Sequence, residues 1–173
     1  MHADTDGAVR IARLVDDFDW TWNLGDFARF ASSLNWRIES QNDHGAQITT
    51  NLQVNRQRCE GYASTHEFPV YIGPTPDITY ISVPVTDAAE PDMSEADVEG
   101  ILSRLSAQLT GVLGEPAVHY PDSNMRIGWY MYNAALFLAV SETGIDLEIL
   151  NPQFYLWWSE GPIDFADEDD EDI

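Results

Sequence analysis

The chain has 173 residues, 44% of them hydrophobic and 12% aromatic, with thirty acids against eight arginines, no lysine and a net charge of −22. So apolar a body excludes a disordered chain, and the length suits one domain able to bury roughly 70% of its unfolded surface. The charge repels phosphate backbones and anionic lipid surfaces, which argues against direct nucleic-acid or membrane binding and for a cationic partner.

Ile11, Leu14, Val15 and Phe18 recur at helical spacing and predict a helix over residues 8–18. Trp20-Thr21-Trp22 then leads to Asn23, a good N-cap with Asp26 three residues on, and Phe27, Phe30, Ala31 and Leu34 form a second apolar stripe. The Trp pair is expected to plug one end of the core. From Trp36 the period changes to two. Ile38, and after the Asn42–Gly45 turn Ile48, Thr50, Leu52 and Val54, predict a hairpin with one wet face.

Residues 55–77 hold Gly61, Pro69, Gly73, Pro74 and Pro76 and read as a long irregular stretch. Thr79, Ile81, Val83 and Val85 resume alternation, with Pro84 expected on an edge or at a bulge. Ser94 opens the clearest helix, with Glu95 and Asp97 in its first turn and Gly114 and Pro116 at its end. Three alternating strands follow around Trp129, Leu138 and Leu147, and Asn151-Pro152 starts a last short helix.

Strands and helices in blocks predict an α+β fold, an antiparallel sheet of about six strands against one long and several short helices. One domain is expected over residues 1–160, followed by a disordered acidic tail over 161–173. The two three-strand blocks flanking the long helix resemble the topology of small secretion-chaperone-like domains, an analogy of fold that does not carry function.

Charge is uneven along the chain: net −2 over residues 1–58, −9 over 59–126 and −11 over 127–173. The tail concentrates Asp164, Asp167, Glu168, Asp169, Asp170, Glu171 and Asp172, a density that holds a segment extended and attracts a basic surface. A second acidic run precedes the long helix. Capping explains its Glu95 and Asp97, whereas Asp87, Glu90 and Asp92 stand outside that explanation and are candidates for a binding face. The competing explanation is solubility, which needs no partner.

Signals for catalysis are sparse. His2, His44, His66 and His119 fall in no metal-binding spacing, the acids do not match a calcium loop, and no nucleotide or nucleophile-elbow motif occurs. The single cysteine, Cys59, sits beside Arg58, which would lower its pKa, but no paired base is evident. It forms no internal disulfide, which suits a reducing compartment, and the N-terminus has no leader pattern. The expectation is a cytoplasmic, non-catalytic protein with no catalytic residues, metal or cofactor, whose partner is a basic protein.

Asp19-Trp20-Thr21-Trp22 before a helix ending Leu34-Asn35-Trp36, the segments Val83-Pro84-Val85-Thr86-Asp87 and Val112-Leu113-Gly114-Glu115-Pro116, and the Gly128-Trp129 strand resemble a family of small uncharacterised actinobacterial proteins. The resemblance covers about residues 8–160. Such proteins are similar to immunity proteins of polymorphic toxin systems in size, acidity and Trp-rich α+β build. It implies neutralisation of a basic toxin by an acidic surface. The alternative is a chaperone-like domain carrying a secreted protein on its sheet face, with Tyr130 or Trp157 as exposed aromatics.

Overall fold

Gly7, Ala8, Ile11, Ala12 and Val15 share one buried stripe of helix α1 (Thr5–Asp17), and Asp4 caps it by accepting from the Gly7 amide at 2.8 Å. A computed structural model describes residues 1–64, 77–90, 93–120 and 125–160. Helix α2 (Gly25–Ser33) buries Phe27, Phe30 and Ala31, and with them Asp26. Asn23 Oδ1 accepts from the Gly25 amide at 2.8 Å. Asp26 does not close a capping box on Asn23 but reaches further back. Its Oδ2 accepts from the Thr21 and Trp22 amides at 2.7 and 2.8 Å and from the Thr21 hydroxyl, while Oδ1 pairs with Arg29.

Those bonds hold Trp22 at φ 60, a backbone region that bulky residues seldom occupy, and stack its ring on Trp20 at 4.4 Å. Both rings are buried, as expected of a core plug. Trp22 also ties the first quarter of the chain to the sheet. Its indole donates to the Asn133 carbonyl at 2.9 Å, and its own carbonyl accepts from the Ile78 amide.

The strands are β1 (Arg37–Asn42), β2 (Gly45–Thr49), β3 (Arg58–Ser64), β4 (Asp77–Pro84), β5 (Val118–Tyr120), β6 (Arg126–Tyr130), β7 (Ala135–Ser141) and β8 (Gly144–Leu150). They form one antiparallel sheet in the order β1-β2-β3-β4-β8-β7-β6-β5. Two four-strand meanders thus meet through their last strands, β4 against β8. Helix α3 (Glu95–Leu113) runs between the meanders, and α4 (Pro152–Glu160) follows the second.

The α+β class holds, with eight strands where about six were expected. Strand β3 lies inside the stretch read as irregular, because its inward positions before the bulge at Tyr62/Ala63 are Cys59 and Gly61, too small to register as an apolar alternation. Gly61 is required there. A Cβ at that position would overlap the Phe27 ring. Strand β5 escaped because three residues are too few to show a period. The expected hairpin is shorter than its pattern: β2 ends at Thr49, and Leu52 and Val54 reach the core from the connection to β3. Pro84 closes an interior strand, past the last β3 pair at Glu60↔Ser82, so no ladder bond to β3 is lost.

One sheet face carries Ile48, Cys59, Ile81, Val83, Leu136, Leu138, Leu147 and Ile149, packed with residues of α1, α2 and α3 into the main core. Ser94 caps α3 in a reciprocal box with Asp97, and Ile101, Leu102, Leu105 and Leu109 form its buried stripe. The opposite face is covered on one half only. There Phe154 and Tyr155 of α4 pack with Ala135, Phe137 and Leu150 into a smaller cluster, and the β1–β4 half has no helix over it among the described residues. No helix there is long and apolar enough to cross a membrane. The expected tail lies outside the described residues.

Removing the Asp26 carboxylate leaves two backbone amides without their acceptor in a buried turn. Asp26→Ala is expected to lower the unfolding free energy in urea by about 3 kcal/mol, and Asp26→Asn, which keeps an acceptor, by less.

Candidate functional site

Alternation on β8 sends Ile145, Leu147 and Ile149 into the main core and Asp146 and Glu148 to the opposite face. Register supplies their neighbours. Ser82 of β4 sits beside Glu148, Pro84 beside Asp146, and Glu60 of β3 on the far side of Ser82, while Tyr62 and Tyr80 are partners in the next pair. These residues, with Arg58, line an open cleft of about 560 Å³ across the β3–β4–β8 junction, on the face opposite the main core.

Two arginines close on the two β8 carboxylates. Arg56, in the connection before β3, reaches Asp146 at 2.7 Å and the Thr143 hydroxyl at 3.1 Å, and the Arg56 and Asp146 side chains are only 17% and 15% exposed. Its Nη1 is buried without a hydrogen-bond partner, against Gly144, whose φ of 143 makes the turn into β8 and where a Cβ would meet that guanidinium. Arg126 of β6 holds Glu148 at 3.0 Å. Burial pushes both carboxyls above their ordinary range. For Asp146 the charge and hydrogen bonds of Arg56 and a bond from Ser82 oppose that rise; for Glu148 the charge of Arg126 opposes it while Asp146 adds to it.

The aromatic wall is continuous. Tyr62 and Tyr80 stack at 4.5 Å and 20°, and Phe154 of α4 lies 6.3 Å beyond Tyr80. Glu60 accepts from the Tyr62 hydroxyl at 2.5 Å, and this bond first, then burial, pushes that hydroxyl far above its usual range, so it stays a neutral donor. At the other end of this face the hydroxyls of Tyr130 and Tyr155 meet at 2.7 Å.

The expected site residues fall elsewhere. Asp87 is half-buried and structural: its Oδ1 accepts from the Asn55 amide at 2.7 Å and its Oδ2 from the His2 amide at 3.3 Å, joining the N-terminus to the β2–β3 connection. Glu90 is exposed ahead of α3, beside a separate shallow hollow that also involves Asp97 and Arg104. Asp92, Asp164, Asp167, Glu168, Asp169, Asp170, Glu171 and Asp172 lie outside the described residues. Exposed acids also occur on α1 and α3, at Asp6, Asp16, Asp17, Glu95, Asp97 and Glu99, so charge by itself selects no face. The cleft residues Arg56, Glu60, Tyr62, Tyr80, Asp146 and Glu148 were missed as a site, although the outward positions of β8 were readable from its alternation.

Chemically the cleft offers the Tyr62 ring face, the carboxylate of Glu60, the guanidinium of Arg58 and two ion pairs. Cys59 points the other way. It is fully buried, and burial pushes its thiol up despite the neighbouring arginine. Among the described residues no group of three or more His, Cys, Asp or Glu is placed to hold a metal ion.

The chain belongs to DUF6301, a family of unknown function, whose family model matches residues 6–151. The match spans both meanders and α1 to α3, and so includes the whole cleft up to Glu148. No curated protein and no solved structure matches the chain.

Because burial outweighs the arginines, Asp146 and Glu148 take up protons in the folded state before the unfolded chain does. Their contribution to stability therefore grows as pH falls from 7 through their folded-state titration toward the ordinary carboxylate range near 4. The Asp146→Asn, Glu148→Gln double variant is expected to lose stability relative to wild type between pH 7 and about 4, measured by urea unfolding at each pH. Arg56→Met, which strands a desolvated carboxylate, is expected to cost about 2–3 kcal/mol at pH 7.

Proposed function

We propose that this protein is a non-catalytic binding protein that seats a basic partner protein on the uncovered half of its sheet, and that the partner is a toxin which it neutralises. The observation that carries this reading is the cleft itself. It combines the exposed Tyr62 ring with the Glu60 carboxylate, on a chain of net charge −22, beside the one part of the sheet that no described helix covers. Complementary charge of this kind speeds encounter and makes binding sensitive to salt.

The absence of catalysis is part of the proposal. Asp146 and Glu148 are each engaged by an arginine, and Cys59 is sealed in the core, which leaves none of these three groups free for proton transfer. Neutralisation of a toxin comes from the resemblance to immunity proteins, and the cleft with its Glu60 carboxylate is the surface that would do it.

A second reading, a chaperone-like domain for a secreted protein, draws support from the other half of the same face. Tyr130, Tyr132 and Leu156 are 48%, 97% and 54% exposed there. Contact through those groups would be largely apolar and weakly dependent on salt.

Affinity capture with the full chain at low ionic strength separates the two. The expected result is retention of a basic protein that elutes at about 0.5 M salt and is not retained by a Glu60→Gln, Tyr62→Ala variant. Capture that survives high salt and is lost in a Tyr130→Ser, Leu156→Ser variant would favour the chaperone-like reading, and recovery of no basic protein would overturn the main one.

A further inference from the structure

The sheet already contains one worked example of how this face holds a guanidinium. Arg126 lies across Glu148 with bonds of 3.0 and 3.1 Å, in a pocket that it shares with Tyr80 and Phe154. Glu148 sits on one side of Ser82 in the register, and Glu60 sits on the other. With strands spaced about 4.8 Å apart, the two carboxylates straddle the small serine with their backbones about 10 Å apart.

The Glu60 side repeats the chemistry of the Glu148 side. It has a carboxylate at the same level of the sheet and a ring wall, here the Tyr62–Tyr80 stack, but among the described residues no cation pairs with Glu60, whose bond is to the Tyr62 hydroxyl. Two arginines also line the cleft. Arg56 is held by Asp146 and Thr143. Arg58, exposed on β3 two residues before Glu60, also lines the cleft and is in no ion pair among the described residues. Ser82 provides the depth that a larger residue would fill, and Tyr62, 38% exposed, presents its ring to solvent.

We propose that the β3 side of the cleft is an arginine receptor, in which a guanidinium from an extended segment of the basic partner lies flat on the outer face of the Tyr62 ring, which Tyr80 backs from the other side, and pairs with Glu60. This rests on the binding role above and specifies its contact. A planar guanidinium both forks onto a carboxylate and stacks on an aromatic face, whereas an ammonium does only the first well, so the site discriminates arginine from lysine. Ring wall and carboxylate are both needed for that discrimination.

The test uses the full chain and two free probes, argininamide and lysinamide, titrated to about 50 mM while tyrosine ring resonances are followed by NMR. Argininamide is expected to shift the Tyr62 and Tyr80 signals and to bind at least about tenfold more tightly than lysinamide. Glu60→Gln and Tyr62→Leu should each remove that preference, with Glu95→Gln on α3 as the unaffected control. Equal binding of the two probes, or an argininamide response unchanged by Glu60→Gln in a variant that retains the wild-type unfolding midpoint, overturns the assignment. A basic protein captured by a chain that does not prefer argininamide sinks the arginine receptor alone. A preference for argininamide without any captured basic protein supports the receptor and removes the protein-binding role.

Discussion

An eight-stranded sheet has two faces, and the described helices cover one face and only half of the other. That one-sided coverage governs everything else in this molecule. The covered face takes the apolar half of every alternation and becomes the main core, with α1, α2 and α3 against it. Where α4 covers the second face, Phe137, Leu150 and Tyr155 form a small apolar cluster; where no described helix covers it, the same positions of the neighbouring strands hold Glu60, Tyr62 and Ser82. Positions that no described helix covers are accordingly polar there.

The polar face is not freely solvated. Arg56 and Arg126 reach across strands to Asp146 and Glu148, and both carboxyls remain above the ordinary range because burial costs more than the arginines return. Such pairs contribute little to stability over well-packed apolar residues, but breaking one leaves an uncompensated charge. Their effect here is geometric: they fix the two walls of the cleft and fasten the β2–β3 connection to the far strand. Asp26 does comparable work on the other layer, where one carboxylate holds the turn that brings the stacked Trp20–Trp22 pair against the sheet.

The pairing of β4 with β8 makes the second meander an antiparallel counterpart of the first, with Ser82 and Glu148 at the junction. This explains why the cleft forms where it does. The junction brings together residues from β3, β4 and β8 that are up to 88 positions apart in the chain, taking Glu60 and Glu148 as the limits. It also explains why Glu148 of one half and Glu60 of the other lie at the same level of the sheet.

The α+β class, the capped helix α3, the Trp plug and the alternation of β6, β7 and β8 were legible from periodicity and capping residues, because those signals are local. Strand β3 was hidden because core contact with Phe27 demands a glycine at position 61, which erases the pattern that would reveal it. The site was hidden for a different reason. Total charge pointed to Asp87, Glu90, Asp92 and the tail, but a carboxylate's role depends on what faces it, and Asp87 faces backbone amides while Glu60 faces a tyrosine and open space. By itself the sequence determined which residues are apolar, which helices start and stop where, and that the surface is acidic. Only the tertiary structure decided which face stays uncovered and which carboxylates stand together there, because strand register is settled by long-range packing that no local pattern encodes.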